Sequence, residues 1–213
     1  MNNEVKKSLL SRASVPLIII LFVSPMVAAW IVFNYFPDSV RGLGTTNKGE
    51  FITPPVKVSV AGYKTIEGKT LPEDYFSKKW TFVYINSGKC SNNCFDHLML
   101  LKNVRLTQGK EISRIKRLFV IDGKNTSELF LKNMKNYPGM DTVPLSTQKM
   151  QEDFFQAFRF EGNTDPANAG YVYVVDPSSQ VMMYYKNDKG ILMVGKDMQK
   201  DMSTLLRNSQ LRK

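Results

Sequence analysis

Cys90 and Cys94 are the only cysteines in the 213-residue chain, four positions apart in Cys90-Ser91-Asn92-Asn93-Cys94. A disulfide closing so short a loop removes about 2 kcal/mol of denatured-state entropy, well under what a domain-spanning loop removes. The pair is therefore poorly placed as a structural staple and better placed as a redox dithiol or as two soft metal ligands. A permanent disulfide is the plain structural alternative. The apolar run 80–85 precedes the pair, and a stretch with Leu98, Leu101 and Val104 at helical spacing follows it. A strand thus delivers the cysteines to the start of a helix. There, unpaired backbone N–H groups and about half a positive charge favour thiolate over thiol, and Lys89 adds to that field. Cys90 on the exposed turn is the expected attacking thiol, and Cys94 in the first helical turn the resolving one.

His97 is the single histidine. It follows Cys94 by three and shares roughly one side of the helix with it. Two thiolates and an imidazole would suit Cu(I), whereas the lack of further Cys or His argues against a closed zinc site. Two other readings stand beside this metal set of Cys90, Cys94 and His97: a packed helix histidine, and a group that tunes cysteine protonation. Met182, Met183, Met198 and Met202 read as core packing, and Asp96 and Asp165 as capping or turn residues. Nothing else in the chain assembles a hydrolase triad, a phosphate loop or a carboxylate pair. Asn86-Ser87-Gly88-Lys89 lacks the Thr and Pro that would support a peroxidatic cysteine at position 90.

Residues 15–36 carry no charge. A helix over that stretch is about 33 Å long, enough to cross a bilayer. Ser14 can cap its start, and Trp30 and Tyr35 suit the far interface. A cleaved signal peptide would use the same basic start, apolar core and Val27-Ala28-Ala29. Apolar residues, however, continue through Trp30, Ile31, Val32 and Phe33, which favours an uncleaved anchor. Lys6, Lys7 and Arg12 ahead of the span give a slight bias toward a cytoplasmic N-terminus. The expected organisation is a cytoplasmic tail (1–14), a transmembrane helix (15–36), a linker (37–50) and an exported domain (51–213). An oxidising compartment would let a nearby cysteine pair cycle between disulfide and dithiol.

The formal net charge is +10, spread along the chain without a nucleic-acid motif. A solvated positive face explains it, as would docking to an anionic lipid surface or an acidic partner. Residues 56–60 alternate like a half-exposed strand. After the strand at 80–85 and the helix at 95–107, the pattern predicts a strand at 117–121 and a helix at 125–136, started by Asn125 and Glu128 as a capping-box variant. It then predicts a short edge strand at 142–145 that tolerates Pro144, and a helix from the Ser146 cap to about residue 160. A hairpin of 171–175 and 181–185 turns on Asp176-Pro177-Ser178-Ser179, and a last helix spans 196–208. This is an α/β order, a thioredoxin-like fold with a mixed central sheet flanked by helices and one N-terminal transmembrane helix.

Trp80-Thr81-Phe82-Val83-Tyr84-Ile85-Asn86 leading into Cys90-x-x-x-Cys94, with Tyr173-Val174-Val175-Asp176-Pro177 later, resembles the membrane-anchored Sco/SenC proteins. The resemblance implies an exported thioredoxin-like domain on one anchor, serving assembly of the copper centre of cytochrome c oxidase. It also implies location in a bacterial inner membrane with the C-terminal domain in the periplasm. The family usually has proline after each cysteine, where this chain has Ser91 and Phe95. The family's copper-binding histidine falls at about Asn168, and an amide is a poor ligand for soft copper. The expected function is assembly by thiol–disulfide exchange, with Cys90 and Cys94 as the catalytic pair and the oxidase copper subunit as target. The alternatives are a Cu(I)-binding metallochaperone and a redox-inert scaffold. The expected partners are the bilayer, through the anchor, and that copper subunit, with no nucleic acid.

Overall fold

The structure is a computed structural model that describes residues 2–36, 47–87, 90–123 and 128–210. It divides into two units, Met1–Thr46 and Asn47–Lys213.

The first unit is helix α1 (Asn2–Tyr35). Its segment Pro16–Tyr35 is 20 residues long and apolar enough to cross a membrane. At 1.5 Å per residue it extends about 30 Å, the thickness of a bilayer's hydrocarbon. Pro25 lies inside this helix and has no N–H to give the carbonyl four residues back. Ser24 Oγ donates to that carbonyl, on Leu21, at 3.5 Å. A hydroxyl thus takes up a backbone group that lipid could not satisfy.

The second unit is built on six strands: β1 (Glu50–Lys57), β2 (Trp80–Asn86), β3 (Ile115–Asp122), β4 (Asp141–Leu145), β5 (Val172–Val175) and β6 (Gln180–Tyr185). They form one sheet in the order β1-β6-β5-β2-β3-β4. β2, β3 and β4 run parallel, while β5, β6 and β1 join antiparallel. β2 is central and fully buried from Trp80 to Ile85. Its alternation divides the core: Phe82 and Tyr84 point to one layer, Val83 and Ile85 to the other. The first layer holds α2 (Asn92–Leu106), α3 (Glu128–Met134) and α5 (Ile191–Gln210), through side chains such as Leu98, Phe130 and Met198. The second holds α4 (Gln148–Phe155) and the loop bearing Leu71, Tyr75 and Phe76. Met183, Met198 and Met202 are core residues, as their spacing suggests.

Several boundaries differ from expectation for local reasons. β1 lies at Glu50–Lys57 rather than 56–60. Pro54 and Pro55 sit where its pairing with β6 is irregular, and such residues are tolerated only on an edge strand. The cap of α4 is Thr147, whose hydroxyl accepts from Met150 N–H at 3.2 Å, not Ser146. The cap expected for α3 at Asn125 lies outside the described residues. α5 starts at Ile191, five residues early, and continues through Gly195. A Cβ at Gly195 would stand 2.7 Å from Leu100 Cδ1, so this glycine admits the close approach of α5 to α2. Asp176 accepts from the N–H groups of Ser178 and Gln180 at 2.8 and 2.9 Å and closes the β5–β6 turn, as expected.

Candidate functional site

The site lies where β2 ends and α2 begins. Residues 88 and 89 fall outside the described set, so the field of Lys89 does too. Cys90 is half-buried on the turn, Ser91 is the extended N-cap residue, and Cys94 is the third residue of α2. Ser91 makes no side-chain cap bond, although its carbonyl accepts Phe95 N–H at 3.1 Å. Cys90 and Cys94 are joined in a disulfide with Cα atoms 5.1 Å apart. Cys94 is 1% exposed and belongs to the core layer with Tyr84 and Leu98, while Cys90 packs against the edge of that layer. Of the two residues, Cys90 alone keeps appreciable exposed surface. α2 is held in place at its far end, where Arg105 Nε donates to Ile115 O of β3 at 2.8 Å.

His97 lies one turn beyond Cys94 and is 1% exposed. Its ring stacks on Tyr84 of β2, with centroids 4.7 Å apart and planes 4° from parallel. Nδ1 lies 2.7 Å from Asn93 O. A carbonyl can only accept, so Nδ1 carries a proton, and in the neutral ring Nε2 is the acceptor. Nε2 is buried and has no hydrogen-bond partner, and neither has Asn86 Oδ1 at the end of β2. Burial holds the Tyr84 hydroxyl above its ordinary range, an effect partly offset by its hydrogen bond with Asn86.

A buried strand, a cysteine turn, a helix and a later antiparallel hairpin are the parts of a thioredoxin-like domain. The family described as transmembrane-like, thioredoxin-like, C-terminal domain matches residues 80–209. The chain belongs to that family. The fold of this transmembrane-like thioredoxin domain is shared with solved Sco proteins, as the sequence resemblance implied. Apo Sco1 from Thermus thermophilus superposes with a TM-score of 0.54 at 15% identity, over 78% of this chain and 99% of that one. Copper-bound yeast Sco1 gives 0.51 at 15% identity, over 75% and 94%. BsSco, a Sco-family member with a disulfide switch, gives 0.50 at 17% identity, over 72% and 98%. No curated protein matches the sequence.

The donor set of this thioredoxin-like domain does not fit a three-ligand copper site. Asn168, at the place of the family histidine, is exposed, and its amide donates to Asp165 Oδ2 at 2.7 Å. Asp165 Oδ1 in turn accepts Ala167 N–H, so the two residues shape a turn, the role expected of Asp165. Among the described residues no three His, Cys, Asp or Glu side chains gather to hold a metal. That holds with Cys90 and Cys94 joined in a disulfide, the form in which neither sulfur is a thiolate ligand. Sequence reading passed over Tyr84 and Asn86 as partners of the site. Their signal was present: two residues apart at the end of a buried strand, they share the face on which the cysteine helix lies.

Proposed function

We infer that this protein is a membrane-tethered thiol–disulfide exchange factor of the Sco type, acting on cysteines of the copper subunit of cytochrome c oxidase. The single observation that supports exchange is the asymmetry of the pair: Cys90 is half-buried, Cys94 is fully buried, and one disulfide joins them. The oxidase target, a bacterial inner membrane and a periplasmic C-terminal domain come from the sequence resemblance and the apolar span of α1. In the reduced protein, Cys90 thiolate attacks the target disulfide and forms a mixed disulfide with one target sulfur, and the other leaves as thiolate. Cys94 thiolate then attacks Cys90 Sγ. The product is the Cys90–Cys94 disulfide and a target with both thiols free, ready to take copper. Copper in this reading is what the target receives.

The test is a trapping experiment on the full-length chain with a disulfide-bonded copper-subunit fragment. Cys94→Ser should accumulate a mixed disulfide through Cys90, and Cys90→Ser should accumulate none. If neither variant traps the fragment, exchange is the wrong reading. An anaerobic Cu(I) titration that gave a tight one-to-one complex, lost in either cysteine variant, would replace exchange with copper carriage. Silence in both experiments would leave a scaffold.

A further inference from the structure

Two buried groups at the cysteine turn complement one another. Cys94 is 1% exposed, so once the disulfide opens its thiol has little access to bulk water. Only the thiolate attacks a disulfide, and apolar surroundings disfavour it. One turn along the helix His97 presents a base. Its Nδ1–H is committed to Asn93 O, and Nε2 holds a buried lone pair that no donor meets. A buried acceptor without a donor is costly to leave unpaired, and in a native protein such a group marks a redox or catalytic role or an internal water. The disulfide has no hydrogen to give; the dithiol has. We propose that His97 accepts the Cys94 thiol proton, directly or through one water, in the step that resolves the mixed disulfide.

This inference rests on the exchange reading. The Cys94 S–H proton passes to His97 Nε2, and the Cys94 sulfur attacks Cys90 Sγ. The Cys90–Cys94 bond forms as the bond from Cys90 to the partner's sulfur breaks. That sulfur leaves with the electron pair and is reduced, while Cys94 is oxidised. The imidazolium then gives its proton to the departing thiolate or to water. Stacking on Tyr84 and the bond to Asn93 O hold the ring with Nε2 as its buried, unpartnered nitrogen. Among the described residues, the other ionisable groups at this end of the sheet are Tyr84 from β2, Asp122 from β3, Asp165 from the loop ahead of β5, Asp96 on α2 and Tyr137 against Phe95. Burial holds both tyrosine hydroxyls above their ordinary range, so neither takes a thiol proton near neutrality. Asp122, its carboxyl raised by burial and then by Asp165, is the competing acceptor.

The experiment uses the reduced full-length chain in detergent and one equivalent of 5,5′-dithiobis(2-nitrobenzoate). Release of a first thionitrobenzoate reports attack by Cys90, and release of a second reports attack by Cys94. His97→Gln should slow the second release at pH 7 by about tenfold or more and leave the first unchanged. The gap should narrow as pH rises above 7, since hydroxide increasingly takes the Cys94 proton in place of the missing imidazole. His97→Phe keeps a flat ring without an acceptor and should behave alike, and Asp122→Asn should not slow the step. A second release as fast as the parent's at pH 7 in either folded variant overturns the proposal, as does a loss that appears only in Asp122→Asn. If the unaltered protein gives no second release, exchange itself fails. His97 is then tested by thiolate absorbance in Cys90→Ser, where adding His97→Gln should move Cys94 ionisation to higher pH. An unchanged titration overturns the assignment.

Discussion

Arg117 stands on β3 beside Phe82, 2% exposed, with one nitrogen donating to Pro138 O at 2.6 Å. Its Nε and Nη1 have no partner, and burial together with Arg105 pulls its pKa down to about 10. A buried cation in this condition contributes little or nothing to stability, and apolar replacement of buried charge is often neutral or stabilising by about 1–4 kcal/mol. Arg117→Met should therefore leave the urea midpoint unchanged or raise it. A clear drop would show that the bond to Pro138 O outweighs the desolvation of the guanidinium. Asp122 poses the same conflict for an acid. Its pKa is raised in the fold, so its ionisation opposes folding above the carboxylate range, and the penalty disappears below the unfolded value of about 3.9. Asp122→Asn should raise Tm at pH 7 and change it little at pH 3. The difference in Tm between the two proteins, followed from pH 3 to 7, checks the sign.

Among the elements, α4 shows how a helix start is decided by geometry that composition leaves open. Ser146 and Thr147 are adjacent and both able to cap, yet only Thr147 accepts Met150 N–H. Thr147→Ala should cost about 1 kcal/mol in a urea denaturation, and Ser146→Ala much less; equal losses would count against the cap. The elements legible from sequence were those whose burial is strict. β2, β3 and β5 read as near-continuous apolar runs because both their faces are covered, and α2 read as a helix from Leu98, Leu101 and Val104. Illegible were boundaries that local residues argue against. β1 carries two prolines, and α5 carries a glycine whose reason is Leu100 on another helix. The site divided in the same way. Spacing placed the cysteines at the head of a helix, but the free nitrogen of His97 depends on a stack with Tyr84 that only the paired register of strand and helix creates.

In the whole molecule, the second unit begins at Asn47, and a buried carboxylate holds that beginning. Asp201 of α5 accepts from the N–H of Lys48 at 2.7 Å, the N–H of Gly49 at 2.9 Å and the Tyr185 hydroxyl at 3.0 Å. Gly49 is needed there, since a Cβ would lie 2.8 Å from Met183 and Tyr185 atoms. The residues expected to end a linker at position 50 are thus bonded into the domain from Lys48 onward, across more than 150 positions of sequence. Hydrogen bonds to a charged group are worth about 1.5–3 kcal/mol each, and a buried carboxylate stripped of them is more costly still. A chain starting at Asn47 should therefore match the full-length protein's domain in urea midpoint, whereas one starting at Phe51 should lose several kcal/mol. Asp201→Ala should bring the Asn47 chain down toward the shorter one and cost less in the shorter chain than in the longer, because the bonds from Lys48 and Gly49 are lost by either change. Full additivity of the two losses would show that the residues ahead of Phe51 stabilise the domain by some other route.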